Sequence, residues 1–369
     1  MSEFTMTLHI ITLLCVQVIW NRLYDTSSGM DVGTLFQLRN LINRRNIVKD
    51  PTSNVAASED FILLVTEAHI LSAAMTVLKM KSLDDTPSHD MFKIPADADS
   101  LQRRDVLLKA ANLVVDLFID ISFACDDEQN KTSKKRRGKK RDNPRTSDGV
   151  KAYACEILNL GLLLMEFNDS IRENDGDRII RCWRYMMLVF KANGRTNYSI
   201  EALNLLIQLR YTLSPRMVAQ LKWNRTVNVH GRPGKNVSSD LHMEHLNRLC
   251  KNAISGMGAN VTGQSIQRVG RAIKVVSETM QELDKRFGIR QESDFHTTRS
   301  SDKDLNKVLE QIFEETHVFS HIPIVANFLK TKSGTLLQNN HTHLIANYLI
   351  KRTVLVEISV TPIKQTTPS

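Results

Sequence analysis

The twenty residues from Phe61 to Met80, FILLVTEAHILSAAMTVLKM, decide the fold class. They are almost all strong helix formers, without proline or glycine, and their apolar positions wrap more than half of a helical surface. Such a helix is buried on most sides rather than laid on a surface. Ser58-Glu59-Asp60 precede it, and carboxylates there favour a helix N-terminus. A central buried helix needs other helices around it. Leu101 to Phe123 repeats the pattern, with Leu107, Leu108, Ala111, Val114, Val115, Phe118 and Ile119 at helical spacing. Tyr153–Glu166, Ile179–Lys191, Ile200–Thr212, Ile266–Phe287 and Leu305–Glu315 read as further helices. Thr353 to Val360, TVLVEISV, is the one strand-like run. The expectation is a mainly α, multi-helix globular bundle with few or no strands.

Composition agrees. Of 369 residues, 42% are hydrophobic and 24% charged, which supports a sizeable core and excludes wholesale disorder. Fifteen glycines and nine prolines are too few for a turn-rich β-sandwich or a collagenous chain. Five cysteines without paired spacing exclude a disulfide framework and fit a reducing compartment. Leu8 to Trp20, LHIITLLCVQVIW, is too short and too polar to span a bilayer and has no basic flank or cleavage site, so it reads as a buried helix. No membrane association is expected. Residues 80–100, with two prolines and five aspartates, form an extended connection. Residues 126–147 hold no core-forming side chain and read as a disordered linker. The chain thus divides into helical residues 1–125, the basic linker 126–147, helical residues 148–330 and a tail 331–369.

The net charge of +9 is concentrated. Residues 131–145 carry nine Lys and Arg against Asp142, and residues 210–251 carry eight against Asp240 and Glu244. The remainder is mildly acidic, so two basic foci sit on an acidic body, and only a focus grips a polyanion at useful density. Lys134, Lys135, Arg136, Arg137, Lys139, Lys140 and Arg141 are dense enough to be read by a nuclear import receptor or to contact phosphates. A solvated charged loop is the alternative. Thr132 and Ser133 adjoin the run, and phosphorylation there would cancel part of its charge.

The second focus contains the most informative window, VHGRPGKNVSSDLHMEHLNRLCK from Val229 to Lys251. Gly231, Pro233 and Gly234 make an irregular turn bearing Arg232 and Lys235. Ser238 or Ser239 can cap the helix that follows. On it Asp240, Glu244, Asn247 and Lys251 fall within a stripe about 60° wide, while Met243, Leu246, Leu249, Cys250 and Ala253 fill the opposite arc. The polar line faces either solvent or a ligand. Two carboxylates one turn apart repel, and with cations beside them they can serve as divalent-metal or phosphate-handling groups. Asp240 and Glu244 are therefore candidate metal and catalytic residues. Arg232, Lys235, Arg248 and Lys251 are candidate nucleic-acid contacts.

Other motifs fail. HGRPGKN lacks the first glycine of a P-loop, since position 229 is valine. His242, Glu244 and His245 do not form a zincin motif, and the Pro-Cys-x-x-Cys half of a deaminase signature is missing. His317 and His321 stand one helical turn apart and could share a metal with His341 or His343, though two half-exposed histidines is the plainer reading.

Cys182-Trp183-Arg184-Tyr185, Gly194-Arg195-Thr196-Asn197-Tyr198, the HGRPGKN turn and Asp240-Leu241-x-x-Glu244-His245-Leu246-Asn247 resemble the uncharacterised family called domain of unknown function 6589, from about Val18 to about Arg286. The family name carries no activity. Its multicopy spread through animal and fungal genomes looks like that of mobile elements, which implies a transposase-like ancestry with a split ribonuclease-H-like core. In such enzymes acidic residues hold Mg or Mn ions that activate water. The resemblance then places Glu244 as the last acid, with Asp240 as the alternative, and puts the earlier acids on strands upstream. No alternating strand set precedes Trp20. A truncated or inactive, nuclear, nucleic-acid-associated relative is the expectation. A helical interaction scaffold, or an active metal-dependent DNA-cleaving enzyme, are the alternatives.

Overall fold

In a computed structural model, the structure describes residues 7–29, 31–83, 85, 87–88, 92, 99–118, 149–229, 231–255, 261–287, 301–316, 319 and 344–346. The basic run 134–141, the candidate strand 353–360 and His317, His321, His341 and His343 lie outside the described residues.

The helix built on the opening stretch, α3 (Val55–Leu78), begins three residues before Ser58. A 3-10 turn, Pro51–Asn54, feeds it, and the Asn54 side chain accepts the Ala57 N–H as its N-cap. At the other end Lys79 turns left-handed at φ +54° and its N–H returns to the Met75 carbonyl. Pro51–Leu78 is long and apolar enough by composition to cross a membrane, but 83% of its apolar window is buried inside the protein. It is the central core helix.

Around α3 pack α1 (Leu8–Leu23), α4 (Ser100–Phe118), α5 (Gly149–Arg172) and α11 (Ser301–Glu310). Short α2 (Leu35–Leu41) is capped by Thr34, which accepts the Gln37 N–H. Helices on either side of residues 119–148 contribute to one hydrophobic core, from Ile11 and Trp20 through Phe61 and Val65 to Leu158, Phe167 and Trp183. Trp20 stacks on Tyr24 at 4.1 Å, and its indole N–H donates to the Lys49 carbonyl at 3.0 Å. Tyr153 ties α5 to two helix ends: its hydroxyl donates to the Leu23 carbonyl at 2.7 Å and accepts the Leu35 N–H at 3.1 Å.

Beyond α5 the chain runs through α6 (Gly176–Ala192), α7 (Thr196–Ile207) with a π-helical turn at Gln208–Thr212, and α8 (Pro215–Trp223). Asp175 caps α6. One turn in, Arg178 forks onto buried Glu166 at 2.9 and 2.8 Å and reaches Asp169 at 2.7 Å, so α6 is locked to α5 by a charged clamp. Gly176 has the Lys222 carbonyl 2.4 Å from where a Cβ would stand, which lets α8 end directly against the start of α6. A two-residue antiparallel ribbon follows: β1 (Thr226–Val227) pairs Thr226 with Ser238 and Val227 with Val237 of β2 (Val237–Ser238). Then come α9 (Ser239–Ser255) and α10 (Gly263–Phe287), which pack on each other. Among the described residues this ribbon is the only sheet, and the mainly α expectation holds.

Candidate nucleic-acid interface

The turn between β1 and β2 is held by its own side chains. Asn228 reads Arg232 as a strand partner would: its Oδ1 accepts the Arg232 N–H at 3.2 Å and its Nδ2 donates to the Arg232 carbonyl at 2.8 Å. Gly231 and Gly234 take left-handed φ values of +62° and +66°. Asn236 donates through both its side chain (2.7 Å) and its backbone N–H (3.3 Å) to the Arg172 carbonyl at the end of α5. Thr226 donates to the Asn174 side chain at 2.7 Å. The turn is thereby pinned to the C-terminal end of α5, and the Arg232 and Lys235 side chains stand exposed.

Asp240 lies at the start of α9, and its Oδ2 accepts the backbone N–H of His9 at 2.9 Å. Thr7, the N-cap residue of α1, makes no side-chain cap bond. Asp240 supplies that function from 231 residues away. Its carboxylate also faces Arg225, whose guanidinium lies 4.7 Å from the Trp183 ring centre. Burial lowers the Arg225 pKa to about 10, and Asp240 works against that shift. Arg225, one of the cations of the second basic focus, is thus packed into the fold rather than offered to a ligand. Trp183 of the CWRY block is 1% exposed beneath it. Glu59 lies in this junction as well: burial raises its pKa, and Asn168, which donates to it at 2.7 Å, Arg172 and His9 oppose the rise.

The polar ridge therefore divides. Asp240 points to α1, while Glu244, Asn247 and Lys251 are exposed. A two-metal centre needs several converging acids. Among the described residues no three His, Cys, Asp or Glu side chains converge on one point, and the present residues do not fit such a centre. In the fold Asp240, a candidate ligand on its spacing, makes the bond of a helix cap. On the opposite arc Met243, Leu246 and Leu249 are exposed as well.

Arg232, Lys235, Arg248 and Lys251 are all exposed, and among the described residues none has an acidic partner. The sequence reading missed Arg268 and Arg271, which are exposed on α10. The signal for them was an acid-free interval: from Arg248 to Ser277 there is no Asp or Glu, and five cations (Arg248, Lys251, Arg268, Arg271 and Lys274) fall within it. That interval is the end of α9, the connection and the first half of α10, one cationic end of a helical hairpin.

The fold and its ties define a mainly helical protein in which Trp183, Asn236 and Asp240 serve as structural joints. The profile described as "Family of unknown function (DUF6589)" matches residues 7–296, and the chain belongs to that family. The match spans α1 to α10 and stops short of α11. No curated protein and no solved structure matches the chain.

Proposed function

We propose that the protein is a non-catalytic nucleic-acid-associated protein of transposon-derived ancestry that works in the nucleus. The observation that carries this reading is the set Arg232 and Lys235 of the turn with Arg248, Lys251, Arg268 and Arg271 of α9 and α10, exposed cations that have no acidic partner among the described residues. Exposed guanidinium and ammonium groups in such a group neutralise phosphates and release counterions. The import run Lys134–Arg141 supplies the nuclear address in this reading.

The test is fluorescence anisotropy of labelled duplex and single-stranded oligonucleotides across a salt series. Binding should weaken as salt rises, with a log–log slope of about 0.9 per phosphate contact on duplex. Arg232→Glu with Lys235→Glu, or Arg268→Glu with Arg271→Glu, should each weaken binding by roughly tenfold or more. Salt-independent binding, or none at low salt, overturns the reading. A reporter fused to residues 126–147 should concentrate in nuclei and lose that on Lys→Ala replacement of the run. A second reading, a helical interaction scaffold without nucleic acid, is favoured by the exposure of Met243, Leu246 and Leu249 on α9.

A further inference from the structure

Ser214 stands directly before Pro215, and no other serine of the chain precedes a proline. It lies at the corner where the π-helical turn Gln208–Thr212 ends and α8 begins. The corner is open to solvent: Arg210, Thr212, Ser214, Pro215 and Arg216 are exposed, and Tyr211 is 82% exposed. Leu213 and Ser214 are both extended, at φ −84°, ψ 143° and φ −64°, ψ 154°, as the residue before a proline prefers. Ser214 is the N-cap residue of α8, yet its side chain makes no cap bond. Its hydroxyl is therefore uncommitted, on extended backbone and reachable from outside, where a serine within a helix is held in a coiled backbone that an enzyme cleft cannot take.

We propose that Ser214 is a phosphorylation site for a proline-directed serine/threonine kinase, with ATP as the donor. A kinase that selects proline after its acceptor recognises a residue with a fixed φ and no N–H. Pro215 offers both, beside an acceptor that is already extended. In the transfer the Ser214 Oγ attacks the γ-phosphorus of ATP. The Oγ–P bond forms as the bond from that phosphorus to the β–γ bridging oxygen breaks, the hydroxyl proton passes to the kinase's carboxylate base, and ADP leaves. The product adds about −1.5 to −2 of charge at neutral pH. It does so in a stretch nearly devoid of that sign, since from Arg178 to Ser239 eleven Lys and Arg stand against Glu201 alone. Arg210 lies four residues before the acceptor and Arg216 two residues after it. Phosphate oxygens on Ser214 accept the Arg216 and Met217 N–H groups that an N-cap serves and that the hydroxyl leaves unused. The far end of α8 is already tied, Lys222 reaching Asp177 at 2.7 Å, so the modification tightens the helix from its other end.

The test incubates the full chain, and a synthetic peptide of residues 208–220, with a purified proline-directed kinase, Mg and ATP, and maps the phosphate by tandem mass spectrometry. Phosphoserine should appear at Ser214 in both, at comparable rates. Ser214→Ala should remove it and fold as wild type, since the serine makes no cap bond. Pro215→Ala, which keeps the acceptor and suits the first turn of a helix, should remove it too. Thr86, Thr361 and Thr367 also precede prolines, and any label they take is phosphothreonine, so it does not mimic the result. In the phosphorylated full chain, amide exchange over residues 216–223 should slow roughly fivefold, the effect of adding one good N-cap. An unlabelled peptide, a full chain labelled at Ser214 only after denaturation, or labelling indifferent to Pro215→Ala overturns the site. Unslowed exchange overturns the capping. None of these readouts involves nucleic acid, so this proposal and the nucleic-acid reading can fail separately.

Discussion

Gly161 of α5 lies against Thr66 of α3 so closely that a Cβ on it would stand 2.0 Å from the Thr66 Oγ1 and 2.7 Å from its Cγ2. Thr66 is fixed in turn, since its hydroxyl donates to the Ile62 carbonyl at 2.7 Å. Both residues are buried at the crossing of the two helices that carry most of the core. Gly161→Ala should therefore destabilise the protein by about 1–3 kcal/mol despite alanine's better helix propensity. Adding Thr66→Ala, which removes the two nearest atoms, should recover part of the loss. The coupling is read from a double-mutant cycle in urea. Additive losses would mean that the helices do not meet at this point.

Asp240 caps α1, and the prediction follows from what a cap requires. Asp240→Ala should cost about 0.5–2 kcal/mol in chemical denaturation, whereas Asp240→Asn should keep most of that stability because an amide oxygen accepts the same N–H. Glu244→Gln should leave stability unchanged, its side chain being exposed. Equal losses for Asn and Ala at position 240 would show that charge, not the His9 bond, is what counts there.

His69 is buried in α3, its Nδ1–H donating to the Val65 carbonyl at 2.8 Å and its ring edge-on to Phe319. Burial lowers its pKa from 6.5 to about 4, so the fold holds it neutral. The unfolded chain binds the proton more readily, and the associated stability is present above pH 6.5 and lost as pH falls from there through about 4. Glu59 acts in the opposite sense, because burial raises its pKa and acid favours its folded form. Denaturation midpoints of wild type and His69→Phe across pH 4 to 7 isolate the histidine. The variant should lose less stability in acid, and parallel curves would refute the assignment.

Arg44, 8% exposed, pairs with Asp60 and places its Nε 3.3 Å from Asp304 at the start of α11. Asp304 is 9% exposed, so removing its partner strands a buried charge. Arg44→Met should cost about 3–5 kcal/mol, and Asp304→Asn in the same background should return part of it. Thermal unfolding of the two variants decides it.

The core helices were legible in the sequence because burial on several sides leaves an apolar pattern wider than a stripe, as in Phe61–Met80. The start of α3 was not, because Asn54 caps it from within a polar turn that looks like any loop. The β1–β2 ribbon was hidden too: two residues per strand show no alternation. At the site, the sequence could say that Asp240 and Glu244 share a helical face. It could not show the amide of His9 waiting 231 positions earlier. Likewise the pattern of Met243, Leu246 and Leu249 announces an apolar face but not whether anything lies over it.

The bond from His9 to Asp240 also orders events during synthesis. Residues 9 to 23 of α1 leave the ribosome long before its N-terminal acceptor exists. At roughly 5–20 residues per second the wait is on the order of 10–50 s. Through that interval α1 must persist as an uncapped, apolar segment, held by early partners such as Phe61 or shielded by a chaperone.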